Sequence, residues 1–117
     1  MTTYRQGDVV LVPVPFTDQT SSKRRPALVI SANWYNRERD DVLVTPITST
    51  VRKPLDREEF LVRDTEYQRA GLYKESVVKC GLIFAVHTDL IFRKLGLLLA
   101  GSSKQIYEKV IDVLSGS

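Results

Sequence analysis

Apolar residues in this chain come in short runs, and each is cut off by proline or glycine before it reaches the length of a typical helix. The runs are Val9–Val14, Ala27–Ser31, Asp41–Thr48, Glu59–Arg63, Ser76–Cys80 and Phe92–Leu99, rich in valine, leucine, isoleucine and threonine. Pro13, Pro15, Pro54, Gly71, Gly81, Gly96 and Gly101 punctuate them. Short β-branched runs bounded by such breakers read as strands. Many short strands with irregular connections predict a mainly β protein, a small closed or half-closed barrel. The C-terminus differs. Ser102 has the form of a helix cap with Gln105 three residues on. Ile106, Val110, Val113 and Leu114, with Tyr107 and Ile111 beside them, then follow helical spacing. An amphipathic C-terminal α-helix lying on the barrel or on a partner is expected. Asn33–Arg39 is expected to form a short helical turn, with Trp34 and Tyr35 covering the core or offering a face for stacking.

At 117 residues the chain is expected to form one domain, 1–117. No apolar run approaches the roughly 20 residues that a bilayer requires, and Met1–Arg5 has no signal-peptide pattern. A cytoplasmic protein is expected, with no membrane partner. Seventeen basic residues against fourteen acidic ones give a net charge of +3. Clustering says more than the total. Lys23-Arg24-Arg25 and Arg52-Lys53 with Arg57 fall in predicted loops, and Arg93-Lys94 lies further on. If the loops converge, they make an electropositive groove for a phosphate backbone.

Arg25 stands directly before Pro26, where the second run begins. Proline fixes its own φ and pushes the preceding residue into extended backbone. The arginine is therefore expected on a stiff corner at the mouth of a sheet. Its planar, permanently charged fork of donors suits a phosphate.

Elimination narrows the chemistry. Cys80 is the only cysteine, so no internal disulfide or multi-cysteine zinc site is available, and a buried, inert thiol is expected. His87 is the only histidine, so a two-imidazole acid–base site cannot be built within one subunit. No nucleophile elbow accompanies it, and a structural or partly exposed role is expected. Asp40-Asp41 and Glu58-Glu59 are adjacent pairs, whose side chains point to opposite faces of a strand and do not chelate together. Neither a metal site nor a cofactor is expected. What remains is arginine, threonine and backbone donors.

Gly7–Pro13, Arg24–Ile30, Val44–Ser49 and Ser76–Cys80, followed by Leu90–Gly96, resemble in order and spacing the MazF/PemK (Kid-like) family of toxin endoribonucleases. The resemblance covers nearly the whole chain. It implies an SH3-like small barrel of the Kid/CcdB toxin type with a C-terminal α-helix. It implies metal-independent cleavage of single-stranded RNA, leaving a 2′,3′-cyclic phosphate and a 5′-hydroxyl. RNA supplies the nucleophile, its 2′-hydroxyl. Arg25 matches the arginine before proline that the family uses in catalysis. Arginine stays protonated in proteins, so stabilising the phosphorane suits it better than proton abstraction. Thr48 matches the threonine after the third strand and is expected to orient the scissile phosphate, the alternative being a strand-end threonine that caps a turn. Lys23, Arg24, Arg52 and Lys53 are candidate contacts to the RNA backbone, with Ser49 and Thr50 as further hydroxyls. The partners implied are a second copy of the chain and a small acidic antitoxin. Ile106–Leu114 or Leu97–Leu99 could supply an apolar dimer patch.

The pattern departs from relatives at two places. Cys80-Gly81-Leu82 stands where several carry an acidic residue and a glutamine. The loop Phe16–Lys23 reads Asp18-Gln19-Thr20-Ser21-Ser22, without the Glu-Gln pair found in others. Two further readings stay open. One is an inactive relative that binds RNA or antitoxin only. The other is a gyrase-binding toxin of the CcdB type, whose aromatic terminal tail has no match in Val113-Leu114-Ser115-Gly116-Ser117.

Overall fold

The computed structural model describes residues 3–13 and 23–116. Seven strands form one sheet: β1 (Asp8–Pro13), β2 (Arg24–Val29), β3 (Asp41–Thr48), β4 (Glu59–Val62), β5 (Ser76–Lys79), β6 (Phe84–His87) and β7 (Arg93–Leu97). Their order is β4-β5-β3-β2-β1-β7, and every pairing is antiparallel. Strand β3 serves two neighbours on one edge: residues 41–44 pair with β6, and residues 47–48 pair with β5. The hand-over falls at Pro46, which has no N–H to give to a ladder. The result is a curled half-barrel.

The central strands lack the apolar–polar alternation of a half-exposed sheet because both of their faces are buried. Successive residues point to opposite sides. Val9 and Leu28 enter one core, with Ile47, Val62, Val78 and Leu98. Val10, Val12, Ala27 and Val29 enter the other, with Val42, Val44, Val86 and Ile91. Helix α3 (Ala100–Ser115) closes the first core through Ile106 and Val110.

Several expectations are corrected here. Strand β2 starts at Arg24, so Arg24 and Arg25 belong to a strand and not to a loop. Strand β6 and a short helix α2 (Asp64–Arg69) fall outside the predicted elements. The predicted turn is helix α1 (Asn33–Glu38), yet Trp34 is 57% exposed and does not cover the core. Asn36 is the buried residue of α1. Its amide donates to the Ser31 carbonyl at 3.1 Å, and the Ser31 hydroxyl bonds back to it and accepts the Leu43 N–H at 3.0 Å. Helix α3 begins at Ala100, two residues before the expected serine cap, and Val113 and Leu114 are exposed.

Its first turn is capped from another element. The Glu66 carboxylate, on α2, accepts the Leu99 N–H at 3.1 Å and the Ser102 hydroxyl at 2.8 Å. A helix N-terminus has unsatisfied donors and a positive dipole end, and both favour a carboxylate there.

Two glycines let backbones touch between α2 and β7. A Cβ on Gly71, at φ +77°, would lie 2.1 Å from the Leu95 carbonyl oxygen. A Cβ on Gly96 would lie 2.3 Å from the Arg69 carbonyl oxygen. The expected end of β1 at Val14 and most of the loop Phe16–Lys23 lie outside the described residues.

Candidate nucleic-acid interface

The β2–β3 ladder ends at Ala27 opposite Pro46. Two residues further along each strand stand Arg25 and Thr48. Even spacing keeps side chains on one face, so continuing the register sets these two opposite each other across the sheet. The row extends through neighbouring strands: Val12 pairs with Arg25 on one side, and Thr48 pairs with Val77 on the other. Arg25 is exposed and Thr48 half-buried, at the end of the half-barrel where the sheet opens.

A groove of about 750 Å³ lies there. Among the described residues, Arg24, Arg25, Arg52, Lys79 and Arg93 line it, against a single lining carboxylate, Glu59. Thr48, Ser49, Thr50, Ser76 and Tyr73 add hydroxyls, and Pro26, Pro46, Ile47 and Leu95 are among its apolar walls. Of the residues singled out from sequence, Arg24, Arg25, Thr48, Ser49, Thr50 and Arg52 therefore come together. Lys23 and Lys53 are not among the lining residues, and Arg57 turns away to pair with Asp112 of α3 at 2.9 Å. Arg93 joins the groove, whereas Lys94 pairs with the buried Asp8 at 3.1 Å.

The groove cations differ in how they are held. The Arg24 guanidinium lies 3.9 Å from the centroid of the Phe92 ring, a cation–π contact that fixes it without spending its donors. Lys79 and Glu59 face each other across β4 and β5 and form an ion pair of 2.6 Å. The Lys79 bond, helped by the Asp56 N–H, holds the Glu59 carboxyl below its ordinary value of about 4.5. Among the described residues no carboxylate pairs with Arg25, Arg52 or Arg93. The Thr48 hydroxyl accepts the Thr50 N–H at 3.1 Å, which leaves its own O–H free to be donated.

Glu59, Lys79, Tyr73, Ser76 and Arg93 are groove residues that the sequence reading did not single out as site residues. The adjacent pair Glu58-Glu59 gave one signal: on a strand, one of the two faces inward. His87 and Cys80 play no part. His87 is exposed, outside the groove lining, and its Nδ1 accepts the Asp89 N–H at 3.1 Å. Cys80 is fully buried, and burial pushes its thiol up to about 11, so it is inert. No three His, Cys, Asp or Glu side chains converge as metal ligands among the described residues. Among the described residues no helix is long and apolar enough to cross a membrane.

Comparison with known proteins assigns the family. The model of the PemK-like, MazF-like toxins of type II toxin–antitoxin systems matches residues 5–114, and the chain belongs to that family. By sequence, no curated protein matches it. Among solved structures, the toxin MazF-mt6 of Mycobacterium tuberculosis is 24% identical, covering 92% of this chain and 96% of that one, with a TM-score of 0.73. An endoribonuclease from a mycobacterial species is 20% identical over 98% and 94% of the two chains, with a TM-score of 0.77. A chain from the MazE–MazF structure of Deinococcus radiodurans is 20% identical, with 97% coverage of both and a TM-score of 0.74. These similarities establish the half-barrel with its C-terminal helix as the fold that such toxins share.

Proposed function

We propose that this toxin is a sequence-selective endoribonuclease that cleaves single-stranded RNA without a metal ion. The observation that carries the reading is the row Arg25–Thr48 in a groove whose lining cations, among the described residues, outnumber its carboxylates five to one. In the reaction the RNA 2′-oxygen bonds to the adjacent phosphorus and the bond from phosphorus to the 5′-oxygen breaks. A proton passes in net from the 2′-oxygen to the 5′-oxygen. The products are a 2′,3′-cyclic phosphate and a 5′-hydroxyl.

The role assigned to Arg25 is stabilising charge on the phosphoryl oxygens as the phosphorane forms, a preorganised electrostatic effect. Thr48 donates its hydroxyl to the same phosphate and sets the in-line geometry. Arg24, Arg52, Ser49 and Thr50 hold flanking backbone. Lys23 and Lys53 keep only a peripheral role in this reading, because neither lines the groove. The same positive groove suits an acidic antitoxin segment, which would compete with RNA. The exposed Leu97, Leu99, Ile111 and Leu114 offer apolar surface for a second copy of the chain.

The test is incubation with mixed single-stranded RNA in EDTA, alongside Arg25→Ala, with mapping of the new 5′ ends. Cleavage by the wild type only, at a recurrent short motif, is expected. A folded wild type that binds RNA without cutting it would instead make this a binding-only relative.

A further inference from the structure

The groove continues past Ser49 and Thr50. These two residues also line a second hollow of about 540 Å³, together with Val51, Lys74 and Glu75. Tyr73 stands at this end of the groove, next to Lys74 of the second hollow. It lines the first groove, and at 80% exposure it is the most exposed large apolar side chain among the described residues. Its hydroxyl donates to Ser49 Oγ at 3.3 Å, which ties the end of the ring to the groove rim. The Lys74 ammonium lies 6.0 Å from its ring centroid, toward the second hollow.

A single exposed apolar side chain is ordinary on a protein surface, so the groups around the ring decide what it can serve. A protein hot spot would sit in an apolar patch ringed by a seal against water. Tyr73 instead has a hydroxyl and a cation beside it, Ser49 and Lys74. Every nucleobase has a π face, and isolated aromatics beside cations are the recurring platform for single strands. We propose that Tyr73 is the stacking platform for a base flanking the scissile phosphate, with Lys74 contacting the phosphate beyond it in the second hollow. This inference rests on the ribonuclease reading and extends it to specificity. Glu75 in the second hollow weakens the positive potential there, so that hollow is assigned one phosphate contact and not a track.

The test uses the mapped RNA site in two forms: an intact oligonucleotide for kinetics, and one carrying a 2′-deoxy nucleotide at the nucleophile for binding. Wild type, Tyr73→Ala, Tyr73→Phe and Tyr73→Trp are compared after thermal melting shows each to be folded. Tyr73→Ala is expected to weaken binding roughly tenfold or more, the range that removal of one stacked base produces. KM should rise with kcat much less affected, because a stacking contact acts on ground and transition states alike. Base preference at one flanking position should relax. Phe and Trp should bind within a few-fold of wild type. Wild-type affinity in Tyr73→Ala overturns the proposal. So does a Phe variant as weak as Ala, which would make the bond to Ser49 the relevant feature. A loss seen only with poly-glutamate, as a probe for acidic polypeptides, would assign the ring to a protein partner and overturn it too. If wild type cleaves and Arg25→Ala does not, while Tyr73→Ala matches wild type, only the stacking proposal falls. If wild type neither binds nor cleaves RNA, both readings fall together.

Discussion

The flank built around helix α3 and the open end of the half-barrel treat charge in opposite ways. On the helix flank, several charged groups have partners. Arg57 meets Asp112, the Lys109 ammonium donates to the Arg57 carbonyl at 2.9 Å, and Glu66 caps the first turn of α3. At the open end Arg25, Arg52 and Arg93 line one groove with no paired carboxylate among the described residues. Clustered like charges repel and cost stability, and surface ion pairs return little. The difference teaches where the chain accepts a cost: partners are supplied where an element must be held, and the uncompensated charge is gathered in the groove to which the proposed function assigns an anionic ligand.

The comparison can be broken at its strongest point first. Arg25→Ala should reduce RNA cleavage by about 10²-fold or more, the scale of losing one preorganised donor to a developing anion. Its melting temperature should stay close to wild type, since the side chain is exposed. A large fall in melting temperature would move Arg25 from the ligand side of the comparison to the structural side. Next, Gly96→Ala should destabilise the fold by about 1–3 kcal/mol, measured by urea unfolding, because the added methyl meets the Arg69 carbonyl. Glu66→Ala should cost about 1 kcal/mol through the lost cap on α3, with cleavage per folded molecule unchanged. Arg57→Ala should be the smallest, well under about 1 kcal/mol, because that pair is solvent-exposed.

Glu59 sharpens the contrast through pH. Its folded-state pKa is depressed, first by the Lys79 hydrogen bond and then by the Asp56 N–H. A depressed carboxyl stabilises the fold above its unfolded pKa and loses that contribution as pH falls through the folded value. Glu59→Gln should therefore be less stable than wild type near neutrality, and the two should converge below the ordinary carboxyl range. A constant difference across a urea-unfolding series from pH 3 to 7 would remove Lys79 as the cause.

The strands were legible where the sequence carries buried β-branched runs, and Asp41–Thr48 was legible to the residue. Arg25 and Thr48 were legible through order and spacing, and the register supplies their meeting point. What escaped did so for physical reasons. Strand β6 is short and only Val86 in it is buried, so it carries no buried β-branched run to mark it. Helix α2 opens on Asp64 at φ +37°, a left-handed start that no local pattern announces. The cap on α3 is a glutamate 36 residues away from Ser102, so the local serine signal pointed three residues past the observed cap position at Leu99. Glu59 and Lys79 became neighbours only through the pairing of β4 with β5.

The close approach of Gly71 to Leu95 and of Gly96 to Arg69 bears on how such a toxin diversifies. Gly71 and Leu95 both line the groove, so this wall is a seam of backbone on backbone. At the glycines themselves such a seam leaves no room for a side chain. On the proposed reading, changes of target preference fall to rim positions such as Tyr73, Ser49 and Arg52, whose side chains line the groove and can be exchanged without meeting that seam.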